Sequence, residues 1–106
     1  MTVNRAQYEL KAGSRMDYGV AYDKWLIDGD TVLSSTWSVP AGLLQVSSDI
    51  NTTPLSRFGR ICPPSTVTTV VLQGGTVGNF YSVINTITTA NNLIELVRLR
   101  IMCVEP

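Results

Sequence analysis

Apolar and polar residues alternate with a period of two through much of this chain, and the alternation breaks at glycine, proline, asparagine and aspartate. That pattern predicts short β-strands joined by turns, because successive side chains of a strand point to opposite faces. The clearest run is 31–39, where Leu33, Trp37 and Val39 share a face with Ser35, while Val32, Ser34, Thr36 and Ser38 share the other. Trp37 is the expected large residue between two sheets, and Pro40-Ala41-Gly42 stops the strand. Ahead of it, 18–27 predicts a first strand with Tyr18, Val20, Tyr22 and Lys24 on one side and Gly19, Ala21, Asp23 and Trp25 on the other. Its alternation is imperfect, which leaves room for a bulge. Asp28-Gly29-Asp30 follows as a turn. Residues 43–48 predict a short strand with Leu44 and Val46 on one face. In 67–72, Val70 and Leu72 fall together. In 93–104, Val97, Leu99, Ile101 and Cys103 face the core and alternate with Arg98, Arg100 and Met102.

The stretch 70–89 carries the most information. It reads as strand, glycine turn, strand, and the second strand opens with Tyr81 two residues before Val83. A tyrosine so placed, lying against the core with its hydroxyl bonded back to a nearby loop, is the tyrosine corner of an immunoglobulin-like sandwich. Tyr81, Val83 and Ile87 are expected inward, and Asn91-Asn92 makes the next hairpin turn. Two stretches are irregular. In 1–16 no period is clear: Tyr8-Glu9-Leu10-Lys11-Ala12-Gly13 fits a short helical turn or an edge strand, and the segment is expected as an arm, loose or laid along a neighbouring subunit. Residues 49–65, with Pro54, Gly59, Pro63 and Pro64, predict one long loop or loops around a short strand, a kind of segment that is often functional. No capped helical period occurs. The expected fold is all-β, an immunoglobulin-like antiparallel β-sandwich of about seven strands over 17–106, preceded by the arm at 1–16.

Composition narrows the function. A chain of 106 residues makes one domain with a small core. Its charged share of 15% is low for a soluble monomer and predicts that part of the surface meets another protein. The net charge is zero, and the arginine pairs Arg98 with Arg100 and Arg57 with Arg60 are too few to track a phosphate backbone, so no nucleic-acid partner is expected. No apolar run reaches membrane-spanning length, and the first residues lack the apolar segment of a secretion signal. The expectation is synthesis in a cytoplasm, where Cys62 and Cys103 stay reduced, with action there or exit by assembly or lysis.

Chemistry is mostly missing. There is no histidine, which removes the commonest general base and metal ligand and excludes the usual serine and cysteine nucleophile pairs. Two thiols cannot make a four-ligand zinc site. Asp28-Gly29-Asp30 lacks the rest of a calcium loop and reads as a turn. Gln73-Gly74-Gly75-Thr76-Val77-Gly78 has no lysine and leads into a strand, so it is a turn and not a phosphate cradle. Asn51-Thr52-Thr53 matches a glycosylation sequon only by accident in a chain without a secretion signal. No catalytic residue, metal or cofactor is expected.

Several segments, in order, carry a resemblance: Asp17-Tyr18, Trp25, Gly29-Asp30-Thr31, Ser34-Ser35-Thr36-Trp37-Ser38-Val39-Pro40-Ala41-Gly42-Leu43, Leu72-Gln73-Gly74-Gly75-Thr76-Val77-Gly78 and Tyr81-Ser82-Val83-Ile84-Asn85-Thr86-Ile87-Thr88-Thr89. Over roughly 17–104 the chain resembles the small immunoglobulin-like virion proteins of tailed bacteriophages, and among them the fibre–tail adaptor family. It departs from them at Ala90-Asn91-Asn92-Leu93-Ile94-Glu95-Leu96-Val97, a more apolar hairpin, and in a longer loop at 49–65.

The resemblance implies a non-enzymatic virion protein that attaches tail fibres to the tail. Its partners would be other virion proteins (tail tube or nozzle, tail fibre, and in one reading the capsid) and further copies of itself. The contact residues expected are Ile94, Leu96, Arg98 and Arg100, with the arm at 1–16 and the loop around Arg57, Phe58 and Arg60. For the hairpin residues the competing expectation is a wider core or edge protection. Two other functions share the fold: a capsid decoration protein, and a carbohydrate-binding adsorption module, which needs exposed aromatic rings such as Trp25 and Tyr22.

Overall fold

The computed structural model describes residues 7–27, 29–57 and 59–106, Gln7 by its backbone alone. Nine strands follow one another: β1 (Gln7–Lys11), β2 (Arg15–Ala21), β3 (Val32–Ser38), β4 (Leu43–Ile50), β5 (Leu55–Arg57), β6 (Arg60–Cys62), β7 (Val67–Gly74), β8 (Phe80–Thr89) and β9 (Ile94–Val104). Among the described residues there is no helix. One sheet has the order β1-β9-β8-β3 and the other β2-β7-β4, while β5 and β6 form a separate ribbon. The chain passes from sheet to sheet between β1 and β2, β2 and β3, β3 and β4, and β7 and β8. That is the immunoglobulin-like sandwich the tyrosine placement predicts.

The two-residue period decides what lies between the sheets. Val70 and Leu72 of β7, Val83 and Ile87 of β8, and Val97, Leu99 and Ile101 of β9 are buried in one cluster with Tyr18, Val20, Tyr22 and Trp37. Each such aliphatic side chain contributes roughly 1.5–3 kcal/mol when fully buried. The tyrosine corner is formed: the Thr76 amide donates to the Tyr81 hydroxyl at 2.9 Å. Gly42 lies against that ring, where a Cβ would approach a ring carbon to 3.1 Å, and its φ of +101° suits glycine alone.

Some expectations need correction. β2 starts at Arg15 and stops at Ala21, because the Tyr22 carbonyl accepts the Trp25 and Leu26 amides, both at 2.9 Å, and turns the chain. In β3 a bulge between Val32 and Ser34 resets the alternation. Val32 therefore enters the core at 4% exposure and Leu33 is turned out at 66%, so Leu33 does not share the core face with Trp37. Of the two readings of the segment after residue 7, the edge strand is formed: β1 pairs in parallel with β9, from Gln7 beside Arg100 to Lys11 beside Val104. The Tyr18 hydroxyl donates to the Glu9 carbonyl at 2.7 Å, and the Tyr8 and Tyr18 rings meet edge to face at 5.7 Å. Burial, with Asp17 and Cys103 adding, pushes the Tyr18 hydroxyl up to about 12, so it stays protonated and donates. The described part of the expected arm thus belongs to the sandwich, and residues 1–6 lie outside the described residues.

At 49–65 the short-strand alternative is realised as the ribbon β5–β6. Asn51 ties its ends down. Its Oδ1 accepts the Thr66 and Val67 amides at 3.0 and 2.9 Å, and its Nδ2 donates to the Thr53 and Pro63 carbonyls at 2.9 and 2.8 Å.

A second asparagine joins the sheets. Asn85, fully buried in the middle of β8, accepts through Oδ1 from the Tyr22 hydroxyl at 2.8 Å and the Thr68 hydroxyl at 2.7 Å. Its Nδ2 donates to the Ser35 hydroxyl at 2.8 Å and the Thr36 carbonyl at 3.0 Å. Burial, with Glu95 adding, raises the Tyr22 hydroxyl, so the donor in this network stays protonated. Removing the amide orphans several polar groups, at roughly 1–3 kcal/mol for each one left buried. Asn85→Ala is expected to lower the unfolding free energy by about 3–5 kcal/mol, measured by urea titration. A loss below about 1 kcal/mol would show that the network is dispensable.

Candidate contact surfaces

The outward residues of β9 and β8 make a face of their own. On β9, Ile94, Leu96, Arg98 and Arg100 all point away from the core. They stand opposite Thr88, Thr86, Ile84 and Ser82 of β8, and β3 adds Ser34, Thr36 and Ser38 beyond. Ile94 is 64% exposed and Leu96 55%, so the wider-core alternative for this hairpin does not hold. With Leu33 turned out by the bulge, one end of the face is apolar and hydroxyl-bearing and carries no charge. The other end carries Arg98 and Arg100, with the Arg100 guanidinium 4.3 Å over the Phe80 ring. The four hairpin residues singled out from sequence are thus brought together on one surface.

Arg57 and Arg60 lie elsewhere, on the ribbon, which folds over the outer side of the second sheet. Arg57 reaches Asp17 at 3.3 Å, and its guanidinium lies on Gly19, where a Cβ would come within 3.2 Å of it. Arg60 holds Asp23 with two bonds, Nε to Oδ2 at 2.9 Å and Nη2 to Oδ1 at 2.6 Å. Both arginines therefore bind the ribbon to β2 and the turn after it. Phe58 lies outside the described residues. The sequence carries no local sign of these pairs, since Asp23 and Arg60 are 37 residues apart.

A cleft between the ribbon and the second sheet, about 380 Å³, is lined by Asp17, Asp49, Asn51, Arg57, Thr69 and Val71. It offers two carboxylates, one of them held by Arg57, and no base next to a nucleophile. Cys62 and Cys103 are both free and buried. Burial, with Asp23 beside it, pushes the Cys62 thiol up and keeps it protonated.

Two carboxylates are held below the ordinary aspartate range. For Asp23 the bonds from Arg60 dominate over burial. For Asp30 burial opposes ionisation, but Thr89 and the backbone amides of Asn91, Thr31 and Ala90 outweigh it. Its Oδ1 accepts the Thr31 amide at 2.9 Å and the Asn91 amide at 3.0 Å, which ties the turn before β3 to the β8–β9 hairpin. A carboxyl depressed on folding stabilises above its unfolded pKa and loses that stabilisation as the pH falls through its folded one. The urea midpoint is therefore expected to fall as the pH drops from about 5 to about 2. Asp23→Asn should lower the midpoint at neutral pH and differ less from wild type at the acid end, whereas a constant difference would refute the assignment.

The two sheets, their buried core and the tyrosine corner define the class: an immunoglobulin-like β-sandwich. The family is more specific. Residues 11–101 match the family described as Podophage GP4 fiber-tail adaptor protein gp77, and the chain belongs to that family of phage structural adaptors. Among curated proteins, nothing matches the chain.

Proposed function

We propose that this chain is a non-enzymatic part of the phage virion that holds tail fibres on the tail through protein–protein contacts. The observation that carries the reading is the outer face of the first sheet, where Ile94 and Leu96 stay exposed beside Arg98 and Arg100 in a chain of the fibre–tail adaptor family. Keeping two large aliphatic side chains in water forgoes roughly 1.5–3 kcal/mol for each, which a partner surface recovers on docking. A stable contact needs roughly 1,200–2,000 Å² of buried surface in total, more than one hairpin supplies, so neighbouring strands of the same face take part. Several copies assemble at the tail, each offering this face.

The alternatives are less well supported. The matched family is a fibre–tail one, which speaks against a capsid decoration role. A sugar platform needs exposed rings, but Tyr22 is fully buried and packs edge to face against a half-buried Trp25 at 6.1 Å.

Particles assembled without this chain are expected to keep filled heads and tails but to lack fibres and fail to adsorb, as seen by electron microscopy and plating. Fibres present in normal number on such particles would sink the proposal. Ile94→Asp with Leu96→Asp should leave the melting temperature within a few degrees of wild type, since both side chains are exposed, and should abolish incorporation into virions.

A further inference from the structure

Arg98 and Arg100 lie on the same side of β9, about 7 Å apart along the strand. Both are exposed, and among the described residues neither meets a carboxylate. Arg100 is steadied by the Phe80 ring, which orients the guanidinium without neutralising it. Glu9 and Lys11 of β1, beside Met102 and Val104, offset each other in charge. The face is therefore positive at one end and apolar at the other.

Its complement is absent from the described surface of this chain. Asp23 is bound by Arg60, Asp17 by Arg57, and Asp30 is buried in its turn. Glu9 on β1, Asp49 on β4, Glu95 on β9 and Glu105 beyond it remain, and no two of them stand two residues apart on one strand as the arginines do. Residues 1–6 contain no carboxylate. The same face of a second copy carries the same two arginines and no adjacent pair of carboxylates to take them.

We propose that the outer face of the first sheet docks an acidic surface of a different virion protein. Apolar side chains of that partner sit against Ile94 and Leu96, and its carboxylates take Arg98 and Arg100 in forked pairs, a geometry that a planar guanidinium favours and an ammonium does not. This rests on the adaptor reading and adds the chemistry of the partner.

The test uses the whole chain and two probes, the purified tail fibre and the purified tail of the same phage, with binding followed at about 50 and about 500 mM NaCl. The wild type is expected to bind one of them through this face, less tightly at high salt. The double reversal Arg98→Glu with Arg100→Glu should weaken that binding at least about tenfold, with an unchanged melting temperature. Arg98→Lys with Arg100→Lys should keep more affinity than the reversal, since it retains the charge. Unchanged binding of both probes by the reversal overturns the proposal and leaves the adaptor role standing. A reversal that changes only self-association, read by light scattering, also overturns it and makes a second copy the occupant. Failure of the wild type to bind either probe overturns the adaptor reading itself.

Discussion

The Asn85 carboxamide makes four hydrogen bonds, two accepted and two donated, and they reach β3, β7 and the end of β2. Apolar packing alone is tolerant of sliding, since one aliphatic contact replaces another at little cost. A buried amide is not, because any shift leaves a donor or acceptor unpaired where no water replaces it. The register of β8 against β3, with Asn85 beside Trp37, is the arrangement in which all four bonds close. The outward set of β8 and β9, including Ile94, Leu96, Arg98 and Arg100, is placed by that register, so the outer face inherits its geometry from a polar contact in the core.

Much of the fold is legible in sequence where one rule acts alone. β8 and β9 keep a strict two-residue alternation, and their inward and outward residues follow from it. Tyr81 announces its corner by spacing. What stays hidden depends on residues far apart in the chain. The bulge that buries Val32 and exposes Leu33 is one extra residue set against Thr88 and Thr89, and nothing in the local string marks it. β1 has too few apolar residues to show a period and gains its place from pairing with β9, some 90 residues on. Asn51 looks like a sequon and acts as a clamp for the ribbon. Arg57 and Arg60 look like free cations for a partner, but each has its carboxylate at hand. The outward placement of the hairpin residues is readable because they adjoin in sequence, and the pairing of the ribbon arginines is not because tertiary contacts set it.

The two outer faces divide the work. The second sheet's face is partly covered by its own ribbon, held by two ion pairs and by Asn51. The Arg57–Asp17 pair has an exposed carboxylate and is worth little, roughly 0–1 kcal/mol, whereas the two-bonded, part-buried Arg60–Asp23 pair and the Asn51 clamp do more to fix the ribbon. Among the described residues the first sheet's face has no such cover. An unprotected apolar strip is a hazard to a free protein, and bulges in both edge strands β3 and β4 limit unwanted strand addition on that side of the sandwich.

The parallel pairing of β1 with β9 joins the first and ninth strands in one sheet. During synthesis β1 leaves the ribosome well before β9 and waits for it. β8, which lies between β9 and β3, likewise has one side open until then. The first sheet can close only when β9 has been made, so a product cut short before it lacks both the closed sheet and the outward residues of β9. Closure of the first sheet and the placing of the outward residues of β9 are therefore one step, and a late one in folding.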